Sequence, residues 1–536
     1  MVRNYLSIAF AVFALISCSE KEDNGKEGGT KPDSGGNTTG YVREVEAAPE
    51  GYDYPDLREA SASEVLYTPS QAFRKYRPID IQYYGGSAPQ GTPAGSWNPS
   101  WTTGKARIVH YMVGYEPAFK TYEKYTKWTN KWGSTKTKEH VNATGRFRVE
   151  KINGRWWIID PMGYLHYERS VTSFRYGSSA RNSAAWNAKY GTDEKWILDT
   201  QQELARNGFH GTGAFCTNTY SKIITHNLTY PLAPLTLAPS FGFLSQFKSA
   251  SKHTSSSITE APIALVLEAD WPQFCIDYMK GSAFEPYRNN QHVLGFFSDN
   301  EINFSANAAS GKLLKIFLNI SDVTDKGRMA AEEFLRSKGA TAYSDELNDE
   351  FCGMLAEKYY SAVKAARDAV DPGLMYLGSR LHGTPKYMEH VVRACGKYCD
   401  IVSINYYSRW SPELDTRVKD WATWADRPFL VTEFYVKGVY DSDLNNASGA
   451  GWAVPRQEDR AYWYQHFTLG LLEAKNCVGW HWFKYQDDDG SDNSNCPANK
   501  GMYDNSYNIY PILSRFAREV NYNVYDIIDY FDNNPR

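Results

Sequence analysis

The chain has 536 residues, 42% hydrophobic and 22% charged, with a formal net charge of −4. That composition can bury a large core, which excludes a disordered or collagen-like chain, and it carries no basic footprint for nucleic acid. Length alone allows up to ~three or four domains, although α/β barrels run longer as single units. Aromatic residues make up 15% of the chain. Such rings either fill a Tyr-rich core or line a surface or cleft, where flat rings beside polar groups suit carbohydrate faces.

Arg3 and the apolar run Leu6 to Ile16 read as the n- and h-regions of a signal peptide, the run being too short to span a membrane. Leu15-Ile16-Ser17-Cys18 then resembles a bacterial lipobox, in which Cys18 is lipidated and becomes the mature N-terminus. Residues 1–18 are therefore expected to be a lipoprotein signal peptide and 19–45 a flexible linker. Ser19-Glu20-Lys21-Glu22-Asp23 resembles the surface-export signal of Bacteroidetes lipoproteins. The expectation is a lipid anchor in the outer membrane, periplasmic or cell-surface, as the only membrane contact. The other seven cysteines are scattered and odd in number, so no disulfide framework is expected. Cys395 and Cys399 have helical spacing, but no partner pair with metal-ligand spacing accompanies them. They are expected as buried thiols, with no metal and no cofactor.

Residues 46–140 are irregular and rich in Tyr, Pro, Gly and Trp. They suit either a small β-domain or a segment wrapped around the remainder of the chain. From residue 141 short apolar runs alternate with helical patterns. Candidate strands are Gly163–Val171, Gly208–Phe215, Pro234–Gly242, His292–Asn300, Leu374–His382, Asp400–Tyr407, Phe429–Glu433 and Cys477–Tyr485. Between them lie helical stretches such as Glu350–Val370 and Arg460–Lys475. Continuous apolar strands alternating with helices imply a parallel sheet, and eight such units imply a (β/α)8 TIM barrel over 141–536. A doubly wound sheet is the structural rival.

Barrel chemistry sits at the C-terminal ends of strands. The fourth candidate strand ends in Asp299-Asn300-Glu301 and the seventh in Glu433. A carboxylate closing a buried apolar strand needs a partner or a role. The two Glu lie 132 residues apart, three units of similar length, which puts their strands on opposite sides of an eight-membered ring. Carboxyls facing each other at roughly 5–5.5 Å suit the retaining mechanism of glycoside hydrolysis.

Asn-Glu after strand four and Glu after strand seven resemble glycoside hydrolase clan A. The runs 294–301, 376–380, 397–405, 427–434 and 479–487 resemble β-agarases of glycoside hydrolase family 50, a resemblance spanning about residues 155–531. Two features depart from that family. Its N-terminal β-domain is usually larger than 46–140, and Tyr167-Glu168-Arg169 stand where small residues are expected. The resemblance implies Glu301 as acid/base, protonated at the start, and Glu433 as ionised nucleophile. It implies Asn300 on the sugar 2-hydroxyl, and Tyr406 or Tyr407 on the nucleophile, since alternation turns only one of them inward. Trp482 would form the floor of the subsite holding the cleaved sugar, with Trp480 packed more deeply. Arg380 and His382 would grip the sugar, Arg380 having a structural ion pair as its other reading. Trp452, in a Gly- and Asn-rich loop, would stack on a further sugar.

The run Asp487 to Asp492 lacks the ligand spacing of an EF-hand and is read as a solvated acidic loop rather than a calcium site. The expected partner is a polysaccharide or oligosaccharide, and the expected activity is retaining hydrolysis of a β-linked galactan. The alternatives are another clan A activity, such as β-galactosidase or porphyranase, and a glycan-binding lipoprotein without catalysis. Oligomeric state stays open.

Overall fold

The computed structural model describes residues 74–84, 100–112 and 122–535, apart from 139, 217–218, 232–233, 306–311, 408, 441, 443, 445, 447–450 and 490–497. The stretches expected as signal peptide and linker, Cys18 among them, lie outside the described residues. In chain order the strands are β1 (Arg74–Tyr84), β2 (Thr102–Met112), β3 (Arg148–Ile152), β4 (Arg155–Ile159), β5 (Leu165–His166), β6 (Glu168–Val171), β7 (Gly211–Thr212) and β8 (Thr236–Leu237). Then come β9 (Ser240–Phe241), β10 (Phe297–Ser298), β11 (Val402–Asn405), β12 (Phe429–Glu433), β13 (Val436–Gly438), β14 (Gly451–Val454) and β15 (Cys477–Trp482).

Six of these form one parallel sheet in the order β11-β12-β15-β6-β7-β8. Every residue of β12 and β15 is buried, as expected for strands covered on both faces. Beyond the edges of the sheet, parallel bridges join Leu237 to Val293, Phe296 to Tyr376, and Leu381 to Ile404. The candidate strands at 292–300 and 374–382 thus lie between β8 and β11. Inside, Ala214, Ala238, Leu294, Phe297, Met375, Leu377, Ile401, Leu430 and Val478 share one apolar cluster with Trp132, Phe147 and Ile158. Trp132, fully buried, donates from its indole to His292 at 3.2 Å.

Helices cover the outside. Asp345–Val370 starts at Ser344, whose side chain accepts from the Leu347 N–H, and carries Asp345 and Glu346 in its first turn. The helix Gln457–Glu473 is buried on nearly every side. β2 explains this by packing on its outer face. There the Arg107 N–H donates to His466 Nδ1 at 2.9 Å, the Val109 N–H donates to Gln465 Oε1 at 3.0 Å, and Arg107 pairs with Glu473 at 2.8 Å.

β1 pairs antiparallel with both β2 and β14, giving a sheet β13-β14-β1-β2. The described part of 74–112 is therefore knitted onto the segment after β12. Glu168 and Arg169, unusual in sequence, are buried and bonded. Glu168 meets His166 Nε2 at 2.8 Å, and Arg169 donates to the Asn521 and Gly133 carbonyls at 2.7 and 2.9 Å. Burial raises the Glu168 carboxyl, but hydrogen bonds and charge from His166 and His481 bring it well below its ordinary value.

Candidate active site

Glu433 closes β12 and is 4% exposed. Arg380 donates from Nη2 to its Oε1, and the Tyr407 hydroxyl donates to its Oε2. Arg380 is fully buried, and its Nε donates to Asn300 Oδ1 at 2.8 Å. One guanidinium fork therefore joins the run 374–382 to the loop after β10 and the end of β12. Its backbone sits at φ 59°, held by an N–H bond to Ser403 Oγ at 2.8 Å. The faces of Phe215 and Phe297 flank it at 5.0 and 5.1 Å. Burial pushes the Glu433 carboxyl up to about 7; Arg380 and Tyr407 pull it down, and the neighbouring charge of Glu301 adds to the rise. Glu433 is the more deeply buried of the two glutamates.

Glu301 lies on the loop after β10 at φ 52°, with its N–H on the Ser379 carbonyl at 3.1 Å. Asn405 donates from Nδ2 to Glu301 Oε1 at 2.7 Å, and His382 Nδ1 lies 3.9 Å from the same oxygen. Asp299, at φ 54°, anchors this loop. Its carboxylate accepts from the Leu244 N–H at 3.0 Å and from the Tyr359 hydroxyl at 2.6 Å. Burial pushes Asp299 up to about 6 against those bonds.

Glu301, Glu433, Asn300, Arg380, His382 and Tyr407 thus come together. Tyr406 turns away. Its hydroxyl donates to Glu413 at 2.9 Å and its ring packs on Trp421 and Phe467. Trp482 does not form a cleft floor. It is fully buried among Phe434, Trp463 and Tyr464, with its indole on the Lys500 carbonyl at 3.0 Å. Trp480 packs as expected, against Tyr167 and Tyr464. Two half-buried rings stand beside Tyr407: His382 at 5.6 Å, and Phe483 at 6.2 Å, which is also 5.9 Å from Tyr435. Trp452 lies on β14 rather than in a loop, paired with Tyr83 and edge-on to Trp410 at 5.5 Å.

The acidic run is also corrected. Asp487 and Asp488 are buried, Asp487 on Asn499, Tyr510 and the Gly501 N–H, Asp488 on Lys484 and Lys500. Residues 490–492 lie outside the described residues. Among the described residues six cysteines, Cys395 and Cys399 included, are buried free thiols. Among the same residues, His253, Glu268 and Asp270 have ligand atoms within 4.8 Å of one another. His253 pairs with Asp270 at 2.9 Å and Lys326 with Glu268, so ion pairs already satisfy the group.

Sequence reasoning gave no role to Asn405, Asp299 and Phe483, which the structure places at the site. Asn405 carried a usable signal, since it too is a polar residue closing an apolar strand.

No family model matches the chain. Two β-agarases of Vibrio sp. (strain JT0107) align with parts of it. β-Agarase B is 32% identical over 143 residues, 26% of this chain and 14% of its own length. β-Agarase A is 31% identical over 183 residues, 32% of this chain and 17% of its own. The agarase AgWH50C shares the fold, with a TM-score of 0.61 at 19% identity over 77% of this chain and 71% of that one. The solved structure of BpGH50 is 44% identical, with a TM-score of 0.78, and the match covers 88% of this chain and 99% of that one. Similarity at that level over nearly the whole of both molecules means that the chain belongs to glycoside hydrolase family 50.

Proposed function

We propose that the protein is a retaining glycoside hydrolase that cleaves β-linked galactan of the agarose or porphyran type. The observation that carries this reading is the pair of unlike carboxyls. Glu433 is clamped by Arg380 and Tyr407, and Glu301 is held by Asn405 within reach of its charge. The agarase relatives support the substrate class. The parallel bridges around the six-stranded sheet support a closed (β/α)8 barrel of clan A type over residues 141–536, with the two Glu at opposite strand ends.

In the first step a Glu433 oxygen attacks the anomeric carbon. The bond to the departing sugar breaks, its electron pair stays on the leaving oxygen, and Glu301 supplies the proton. Asn300, oriented by Arg380, holds the 2-hydroxyl. In the second step Glu301 takes a proton from water as that water's oxygen displaces Glu433. The carboxyls then stand roughly 5–5.5 Å apart. Phe483 takes the place assigned to Trp482 as the ring beneath the sugar, and His382 and Trp452 contact substrate further out. The enzyme is anchored through lipidated Cys18 in the outer membrane, with residues 19–45 as tether.

The test uses Glu433→Ala and Glu301→Ala with azide and an activated glycoside. Glu433→Ala should give the inverted glycosyl azide, and Glu301→Ala the retained one. The opposite pattern means the roles are exchanged. Full activity in both variants removes the mechanism, and wild type that binds galactan without turnover makes the protein a binding lipoprotein.

A further inference from the structure

A carboxylic acid that donates a proton must hold it on one of its two oxygens, and the surroundings of Glu301 treat those oxygens differently. Asn405 is fully buried at the end of β11. Its Nδ2 donates to Oε1 of Glu301 at 2.7 Å. Its Oδ1 accepts from the Thr432 hydroxyl at 2.8 Å, and Thr432 is fully buried on β12. An amide nitrogen only donates and an amide oxygen only accepts. With Nδ2 against Oε1, a proton on Oε1 would face another hydrogen. Turning the amide over would relieve that clash, and the Thr432 hydroxyl could then accept from Nδ2, but its own buried proton would lose the acceptor it has in Oδ1.

We propose that Thr432 and Asn405 are a positioning pair that keeps Oε1 of Glu301 unprotonated, so that the proton given to the departing sugar sits on Oε2. The inference rests on the acid/base role of Glu301. The other groups around this carboxyl are consistent with it. His382 Nδ1 approaches the same Oε1, at 3.9 Å. Arg380 Nε and Nη2 go to Asn300 and Glu433 and the Tyr407 hydroxyl goes to Glu433, while Arg380 Nη1 has no hydrogen-bond partner among the described residues. In the glycosylation step the Oε2–H bond breaks as the leaving oxygen gains that hydrogen. In deglycosylation Oε2 regains a proton from the attacking water.

The test separates positioning of a proton from general support of the fold. Thr432→Val keeps the shape and removes the donor, leaving Oδ1 to seek a proton from Glu301. Thr432→Ser keeps the hydroxyl. Each variant is assayed on an agarose oligosaccharide, whose leaving sugar needs the proton, and on a dinitrophenyl glycoside, whose leaving group does not. Thr432→Val should lose roughly tenfold to a hundredfold in kcat/KM on the oligosaccharide. It should lose much less on the dinitrophenyl glycoside, and Thr432→Ser should recover most of the loss. Equal losses on both substrates, or none on either, overturn the proposal. Should Thr432→Val fail to fold, Asn405→Asp asks the same question, since an ionised Asp cannot donate to Oε1. It should show the same split between substrates, and equal losses again overturn the proposal. Azide rescue of Glu301→Ala is the separate control. Without rescue, the acid/base reading fails and this inference with it. With rescue but no split between substrates, only the positioning pair fails.

Discussion

Arg380→Met should move the acid limb of the pH–rate profile upward. The substitution keeps most of the side-chain volume and removes the cation. Glu433, 4% exposed, is then left with Tyr407 as its remaining donor. Burial already pushes Glu433 up to about 7, with Arg380 the largest influence in the other direction. An opposite charge at contact lowers a carboxyl by ~1–3 pH units, so its loss should raise the limb by about that much. Below the limb each unit is tenfold in the ionised fraction, so kcat/KM at acid pH should fall by roughly ten- to a thousandfold. The assay is kcat/KM on an agarose oligosaccharide across pH, for wild type, Arg380→Met and Arg380→Lys. Wild type should gain activity as pH rises through about 7, where Glu433 ionises. Lys keeps the charge but cannot span Asn300 and Glu433 as a fork, so its limb should move less. A uniform loss of rate in Arg380→Met with the limb unmoved would refute the electrostatic reasoning. Stability gives a second readout. The folded value lies above the ordinary 4.5, so the stabilisation from protonated Glu433 is full below pH 4.5 and is lost as pH rises through about 7. The stability difference between wild type and Glu433→Gln should therefore shift by ~3 kcal/mol across that window.

Tyr407→Phe should raise the same limb by about one pH unit and lower kcat, because it removes a donor to ionised Glu433. Tyr406→Phe should leave the limb in place and cost about 1 kcal/mol of stability through its bond to Glu413. Trp482→Ala should lower stability by ~3–5 kcal/mol as a core deletion. Phe483→Ala should chiefly raise KM for oligosaccharides, and the reverse pattern would return Trp482 to the cleft. Cys18→Ser should abolish labelling by a palmitate tracer and move the protein from the membrane to the soluble fraction; unchanged membrane association would count against the anchor.

The strand exits were legible because each is a buried apolar run that stops at a polar residue. That pattern located Glu301 and Glu433, and Arg380 and His382 at the end of the fifth run. It was blind to partners that are distant in sequence. The Asp487-Asp488 run reads as solvated because its own neighbourhood is acidic. Part of its neutralisation comes from Lys500, across a segment that returns to the same place. β1 gave no sign of its place, since its partner β14 lies far along the chain and belongs to an insertion after β12.

The misplacement of Trp482 has a local cause. Strict alternation along β15 would put Val478, Trp480 and Trp482 on one face. Val478 does belong to the interior cluster. Between β12 and β15, however, Phe429 pairs with Cys477 and Val431 with Trp480, so two steps on one strand match three on the other. The extra residue falls beside Gly479, at φ 151°, where an added Cβ would collide with the Glu168 carbonyl oxygen. A bulge reverses the phase of the residues beyond it. Trp480 and Trp482 therefore face the helix Gln457–Glu473, through Tyr464 and Trp463, while His481 turns inward against Phe297 and Glu168. The same reversal brings Phe483, one residue past the strand, beside Tyr407. A glycine inside an otherwise continuous strand was the available signal, and it determines which aromatic ring stands beside Tyr407.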